Sequence, residues 1–559
     1  MQNIEILKFG SSVLRSANEL HLAVDEIYRR WRRHCKILAV VSAFEGVTDQ
    51  LIREAADLIA TDTEEATATY IAQGEQRTAA LLVESLTRSG MPSRVIEPYE
   101  IGLLAEGSSL DSTPVGVDLI AFGRLWDFHP ILVLPGFYGI TANGNTALFG
   151  RGGSDLSALF LAGALDGCCR LLKDVDGVYD TDPAEGTAAH RYRAISWETA
   201  TRVAGLLIQN KGLQYAKRRA LPFYLGRPNE LASTRVGEDR DEFAGPPPAT
   251  RPLRIVLLGC GVVGRGVYQL LSQYPDRFKV CHVVVRNLEK YADIPERTTD
   301  PSRVVDSSID IVVECFGGVG MTLPVVLAAL SAGKYVVTAN KALLAAHWVE
   351  FAHDTRGSQR RLLFSAAVGG ALPVMEVLEL CARKTTVVEI RGIINGTSGV
   401  VLEARAEGKT ELDAIEYAKL HGFAEANPFR DISGLDSADK LALMIEKAFG
   451  QWLAPHQIST RGIDTILGNY GGYKLVARAR QLKAGIFASV APEIPPPGSF
   501  LREAKGAENR VEIELSNGQI IRLHGQGAGR WPTAVSVMGD LHEVARRFEK
   551  KLTQTPSRV

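Results

Sequence analysis

Neither sign of charge dominates this 559-residue chain: 63 lysines and arginines offset 64 aspartates and glutamates, for a net charge of -1. Without a basic field there is no electrostatic footprint for a nucleic-acid backbone and no polybasic patch for an anionic membrane. No apolar run approaches the roughly 18 residues of a membrane-spanning helix. The start, Met1-Gln-Asn-Ile-Glu5, lacks the basic-then-apolar pattern of a secretory signal. Cysteine is sparse: seven residues, an odd number with no C-x-x-C pair, lie mostly in apolar strand-like runs. They read as small buried hydrophobes in a reducing compartment rather than a disulfide framework. Internal repeats and low-complexity tracts are also missing. What remains is the expectation of a cytoplasmic globular protein that meets small ligands through local charges.

Hydrophobic residues make up 46% and charged residues 23%, enough apolar material for ordinary cores. The length exceeds one core and predicts three or four folding units. Residues 229–252 carry charge, glycine and four prolines without an apolar period, and read as a linker. Before it, strand-like runs at 4–9, 37–41, 131–135 and 171–174 alternate with helical stretches at 20–33, 66–89 and 154–165. That alternation predicts a mostly parallel sheet covered by helices. After the linker the rhythm resumes, with strands at 253–258, 279–285, 309–313 and 335–338 and a helix at 264–273. From about 360 to 520 longer strands and helices suggest a second, substrate-holding domain.

Four apolar residues, Ile255-Val-Leu-Leu258, lead into Gly259-Cys260-Gly261-Val262-Val263-Gly264. In a strand–turn–helix setting, Gly259 allows the tight turn, Gly261 lets backbone approach a pyrophosphate, and Gly264 lets helix and strand pack closely. About 20 residues on, where an acid would favour NAD, stands Arg286, which suits a 2′-phosphate. NADP is therefore favoured, with NAD left open. Thr338-Ala-Asn-Lys341, Asn395-Gly-Thr-Ser398 and Asp431-Ile-Ser-Gly-Leu-Asp436-Ser-Ala-Asp-Lys440 follow. Asp436 and Lys440 are four apart, so a helix would put them on one face.

With Val313-Glu-Cys-Phe-Gly-Gly318, Gly369-Gly370, Gly422-Phe-Ala-Glu425 and Gly525-Gln-Gly-Ala-Gly-Arg-Trp-Pro-Thr-Ala534, these motifs closely resemble homoserine dehydrogenase over about 250–545. The resemblance implies a Rossmann domain at 253–380, completed by about 525–559, and a catalytic and dimerisation domain at 381–524. It implies interconversion of homoserine and aspartate semialdehyde, with Lys440 as acid/base and Lys341 beside cofactor and substrate. Glu425, Asp431 and Asp436 would hold homoserine. It also implies a homodimer or higher homo-oligomer, and a sodium ion on the carbonyls of Val368, Gly370 and Leu372. The chain departs from the pattern at Ser365, in place of a sodium-binding glutamate, at Gly399, in place of an asparagine, and at Asn427, in place of an aspartate. These departures leave open a related amino-acid semialdehyde as substrate.

In the first half, Lys8-Phe-Gly-Ser-Ser12-Val follows a strand and Gly150-Arg151-Gly-Gly-Ser-Asp155 opens a helix. Glycine turns at helix starts offer N–H groups to phosphate, and a lysine at a strand tip neutralises a transferring phosphoryl group. With Val41-Ser-Ala-Phe-Glu-Gly-Val-Thr-Asp49, Gly74-Glu75, Pro135-Gly-Phe-Tyr-Gly139 and Leu171-Leu-Lys-Asp-Val-Asp-Gly-Val-Tyr-Asp-Thr-Asp-Pro183, residues 2–228 resemble the amino-acid kinase fold and aspartokinase most closely. That resemblance implies ATP and magnesium, with Lys8 and Asp155 in phosphoryl transfer. Ser12, Glu75 and Arg151 would hold aspartate, and Asp174, Tyr179 and Asp182 would line the nucleotide site. The chain is one glycine short after Lys8-Phe, and Leu206 falls where the family has a nucleotide-reaching lysine. With a linker at 229, regulatory ligand-binding domains are not expected. Two readings of this domain stay open, an active kinase and a scaffold that keeps only the fold. The expected fold class is α/β: an amino-acid-kinase-like sandwich, then a doubly wound Rossmann domain with an α+β substrate and dimerisation domain.

Overall fold

The computed structural model of the chain describes residues 3–58, 64–185, 189–203, 205, 207–245, 251–355, 360–424, 427–468 and 470–554. Two compact units divide it, one of residues 1–88 and 92–249, the other of 89–91 and 250–559. The second contains both a parallel and an antiparallel sheet. No helix among the described residues is long and apolar enough to cross a membrane.

The first unit is built on a nine-stranded sheet. From edge to edge its strands are Glu242–Phe243, Tyr192–Ser196, Ser233–Glu238, Phe223–Gly226, Cys168–Leu172, Ile4–Phe9, Lys36–Val41, Ile131–Pro135 and Ser93–Val95. From Phe223–Gly226 to Ser93–Val95 every pairing is parallel. Parallel strands are covered on both faces, which explains near-continuous apolar runs such as Ile37–Val41, all five buried. Helix Gly153–Leu165 has ten consecutive buried residues, Gly153 to Ala162. A helix apolar all round is one sunk in the core.

The predicted linker needs correction. Asn229 is 2% exposed, and its N–H donates to Glu26 Oε2 at 2.8 Å. Ser233–Glu238 pairs antiparallel with Phe223–Gly226 and parallel with Tyr192–Ser196, and Glu242–Phe243 adds an antiparallel edge. Composition hid these strands because only Thr234 and Val236, two residues apart, point into the core among charged neighbours. The connection therefore begins after Phe243, and residues 246–250 lie outside the described set.

In the second unit a six-stranded parallel sheet runs Arg297–Thr298, Phe278–Val284, Leu253–Leu258, Ile311–Glu314, Tyr335–Thr338, Leu362–Leu363. In chain order that is 3-2-1-4-5-6, the doubly wound arrangement whose switch point lies beside its first strand. Helix Arg530–Gln554 packs on helix Val262–Leu271 and so covers this sheet from the far end of the chain. A second, mainly antiparallel sheet runs Ser459–Thr460, Gly485–Glu493, Lys474–Leu482, Val387–Ile393, Glu508–Leu515, Ile520–Gln526. The predicted boundary at 380 falls inside helix Val374–Lys384, which packs against helix Leu435–Phe449. Val374, Met375, Val377, Leu378 and Cys381 are its buried stripe, a helical period that continues past 380 and ties the whole element to one neighbour.

Candidate active sites

The carboxyl edge of the parallel sheet gathers three turns. Gly259 has φ +92°, and a Cβ there would lie 2.7 Å from the Cys315 carbonyl oxygen; at Gly264 it would lie 2.1 Å from that of Gly259. A Cβ on Gly261 would meet nothing within 4 Å, so the space over this N-cap of helix Val262–Leu271 is open. One residue thus has to be glycine for the turn and one for packing, while the third leaves room for a phosphate at a helix N-terminus. At the next strand end, Glu314 is fully buried and accepts the N–H groups of Phe316 and Gly317 at 2.9 and 3.2 Å, besides the Thr338 hydroxyl. Burial raises its carboxyl above the ordinary range against those hydrogen bonds. Asn340 donates to the Gly318 carbonyl at 2.7 Å and caps helix Lys341–Ala346 through the Leu343 N–H. Glu314 and Asn340 lie in motifs quoted from the sequence, but their turn-building work becomes visible only here. Cys260, Val262 and Val263 complete the first turn, and Arg286 stands exposed two residues past Phe278–Val284.

Lys341, the first residue of its helix, carries that edge toward helix Leu435–Phe449. Its Nζ lies 2.9 Å from Asp436 Oδ1, and Lys440 Nζ lies 2.7 Å from Asp436 Oδ2. Lys440 also donates to the Ile394 carbonyl at 2.8 Å. Asn395 caps helix Gly396–Ala406 through its Oδ1 and turns its Nδ2 to Asp431 at 2.7 Å and Asp436 at 2.8 Å. Burial would raise the Asp436 carboxyl, but Lys440 and Lys341 override it and hold it well below the usual carboxylate range. Asp436 in turn raises Lys341, against burial. Burial and the neighbouring Asp436 raise Asp431. The result is a two-lysine, two-carboxylate cluster tied together by Asn395, with Asp436 and Lys440 buried and Lys341 and Asp431 half-buried. Glu425 lies outside the described residues.

The three departures from the family pattern each have a local structural role. Ser365 presents its N–H and hydroxyl to Asp540 at 3.0 and 2.9 Å. A Cβ on Gly399 would fall 2.4 Å from the Gly506 carbonyl oxygen. Asn427 accepts the Phe429 N–H at 3.2 Å, ahead of the short helix Phe429–Ile432. At the implied sodium position, with carbonyls at Val368, Gly370 and Leu372, the Ser365 hydroxyl is engaged by Asp540 and the Leu372 carbonyl accepts Val374 N–H at 2.8 Å. A neutral, already bonded hydroxyl in place of a carboxylate is a poorer cation ligand.

In the first unit Lys8, near the end of its strand, meets Asp155, in the first turn of helix Gly153–Leu165, at 2.7 Å. Lys173, not singled out from the sequence, reaches the same carboxylate at 3.0 Å. Burial would raise Asp155, but Lys8 and Lys173 hold it at about 2. Burial lowers Lys8 to about 8, against Asp155 and with help from the like charge of Lys173. Glu75 is 2% exposed, with Oε1 accepting Ala43 N–H at 3.1 Å and Oε2 buried without a partner. Burial pushes its carboxyl up to about 7.

The other predicted residues do not join this cluster. Ser12 is half-buried and its carbonyl accepts from Arg15 at 3.4 Å, while Arg151 is exposed in the glycine turn. The Asp174 carbonyl accepts from Arg227 at 2.7 Å, and the Tyr179 hydroxyl donates to Asp176 at 3.0 Å. Asp182 caps the exposed turn at Ala184, at 2.9 Å. Leu206 lies outside the described residues.

Comparison with known proteins agrees with this division. The homoserine dehydrogenase family profile matches residues 373–542, its NAD-binding domain profile 259–365, and the amino acid kinase family profile 3–216. A homoserine dehydrogenase of Lactococcus lactis is 31% identical over 319 residues, 53% of this chain and 74% of that protein. One of Corynebacterium glutamicum is 34% identical over 318 residues, 52% and 72% respectively. The crystal structure of a homoserine dehydrogenase from Thiobacillus denitrificans superposes with TM-score 0.51 at 32% identity, covering 55% of this chain and 77% of that one. With a parallel sheet built for a nicotinamide cofactor, a lysine–aspartate cluster beside it and these matches, the chain belongs to the homoserine dehydrogenase family, here fused to an amino acid kinase domain.

Proposed function

We propose that the chain catalyses two reactions: NAD(P)-dependent interconversion of L-homoserine and L-aspartate 4-semialdehyde in the second unit, and ATP-dependent conversion of L-aspartate to 4-phospho-L-aspartate in the first. The observation that carries the first reading is the Asp436 carboxylate shared by Lys440 and Lys341, the latter opening a helix at the edge where the glycine turn lies. Bound nicotinamide supplies or accepts the hydride, and the Gly259–Gly264 turn would hold its pyrophosphate. Lys440 has two N–H groups engaged by Asp436 and Ile394, which leaves one for the substrate oxygen. In the reducing direction it gives a proton to the carbonyl oxygen as the hydride arrives at carbon; in reverse it removes the hydroxyl proton. Ionised Asp436 keeps both lysines oriented, while Asp431 and Glu425 would take the substrate ammonium.

Arg286, exposed past its strand, supports NADP over NAD. A cofactor-preference assay checks this, and a strong NAD preference would sink it. For the kinase reaction, the unpartnered Glu75 oxygen suits the aspartate ammonium and the Arg151 fork a carboxylate. Lys8 would neutralise charge on the phosphoryl group, whose nucleotide and magnesium would lie toward Asp174, Tyr179 and Asp182. The scaffold reading draws on Leu206 and the missing glycine after Lys8-Phe. Ser365, Gly399 and Asn427 motivate a reading in which the substrate is another amino-acid semialdehyde; a clear preference for homoserine over related hydroxy amino acids would dispose of it. Both activities should be measured on the purified full chain: homoserine-dependent NADP reduction, and ATP- and aspartate-dependent hydroxamate formation. No homoserine oxidation would end the first reading, and no hydroxamate at saturating substrate the second.

A further inference from the structure

The kinase domain lacks a lysine at position 206, yet a second ammonium already stands at its centre. Lys173 follows strand Cys168–Leu172, which pairs in parallel with Ile4–Phe9 so that Leu172 lies opposite Phe9. Lys8 and Lys173 therefore emerge at the same carboxyl edge of neighbouring strands. The Lys173 backbone is fixed by its N–H to the Gly226 carbonyl at 3.0 Å. Its Nζ lies 3.2 and 3.0 Å from the two Asp155 oxygens, and Lys8 Nζ lies 2.7 Å from Oδ1. One buried carboxylate thus holds two cations beside the N-terminus of helix Gly153–Leu165, whose N-cap Gly152 has φ +78°.

A single anion between two lysines leaves local positive charge, and the helix start adds its own partial charge. Asp155 can engage at most two of the three Lys173 N–H groups, so at least one is left for a ligand. The other lysine near the glycine turn cannot serve. Lys211 Nζ is bound to Asp111 at 2.7 Å, the Ser112 carbonyl at 2.6 Å and the Phe149 carbonyl at 2.9 Å, which uses all three of its N–H groups. Lys211 secures the turn.

We infer that Lys173 is a second phosphate-contacting lysine, supplying from the sheet edge the charge that position 206 does not, for a nucleoside triphosphate held between it and Lys8. This rests on the kinase reading above. In the transfer, an oxygen of the aspartate side-chain carboxylate bonds to the γ-phosphorus. The bond to the β,γ-bridging oxygen breaks, and ADP leaves with that electron pair. No proton need move, so the two ammoniums act through charge and hydrogen bonds to the phosphoryl oxygens.

The test uses the full-length chain with Lys173→Met and Lys173→Arg, reading hydroxamate formation, calorimetric Kd for MgATP, hydrogen-exchange protection of Ile4–Phe9 and Gly153–Leu165 as a check on folding of the first unit, and homoserine oxidation as a check on the second. Expected is a hydroxamate kcat at least about 100-fold lower in Lys173→Met, as for loss of one transition-state donor. Lys173→Arg should recover part of it, with homoserine oxidation within about twofold throughout. Hydroxamate formation within threefold of wild type in Lys173→Met overturns the inference and leaves the kinase reading standing. If wild type makes no hydroxamate, the kinase reading falls and MgATP binding decides. A Kd weakened tenfold or more by Lys173→Met supports the phosphate contact; an unchanged Kd, or no MgATP binding by wild type, overturns it.

Discussion

At the residue scale, the proposed chemistry concentrates in a few buried ionisable groups. Lys440 is 7% exposed and its charge is balanced at 2.7 Å by Asp436. Lys440→Ala should lower homoserine turnover by about 100-fold or more, because general acid–base catalysis contributes about that much. Fluorescence titration should meanwhile give an almost unchanged NADPH Kd, since the glycine turn is untouched. Glu75 makes a second residue-level prediction. Its value of about 7 lies above the ordinary carboxyl range because of burial, so the neutral form dominates below that pH and the ionised form above it. Only the ionised form attracts an ammonium, so the KM for aspartate should fall as pH rises through about 7. Glu75→Gln should abolish that dependence; a parallel profile in the variant would remove Glu75 from the aspartate site.

At the scale of the element, buried polar contacts hold helices in place. Glu26 on helix Leu20–Trp31 is fully buried, paired with Arg29 and Arg30 and accepting the Asn229 N–H. Burial would raise its carboxyl, but Arg29 and Arg30 hold it at about 2. A depressed carboxyl stabilises the fold above its unfolded value, and that stability is lost as pH falls through about 2. Glu26→Gln removes the carboxylate shared by two buried guanidiniums, of which Arg30 still has Glu5 at 3.7 Å, and should cost about 3–5 kcal/mol in urea denaturation at neutral pH. Gly399→Asn would restore the residue expected by resemblance. Its Cβ meets the Gly506 carbonyl at 2.4 Å, so the variant should lose about 1–3 kcal/mol while the homoserine KM changes little. A lowered KM without destabilisation would mean that Gly399 acts on substrate instead of packing.

At the scale of the whole molecule, the two candidate sites lie in two compact units. Saturating NADPH should slow hydrogen exchange around Leu253–Leu258 and Val262–Leu271, with little effect on Ile4–Phe9 or Gly153–Leu165. MgATP with aspartate should do the reverse. At about 100 times Kd, binding stabilises the liganded state by about 2.7 kcal/mol, a protection readily read by mass spectrometry. A net charge of -1 gives no long-range steering, so both association rates should depend weakly on salt.

Periodicity and glycine spacing carried much of the architecture, because both are local. The strand Ile4–Phe9 and the turn at Gly259–Gly264 were legible from neighbouring residues alone, as was the shared face of Asp436 and Lys440 on their helix. What tertiary structure alone decided were pairings between distant segments. Lys173 meets Asp155 across 18 residues, Lys341 meets Asp436 across 95, and the strand Ser233–Glu238 took its place only when Tyr192–Ser196 and Phe223–Gly226 came to flank it. A side chain's neighbours along the chain dictate its backbone, but its charge partner is set by where the fold returns the chain. That is why the strand order of the first unit and the place of Lys173 beside Asp155 could not be read before the structure.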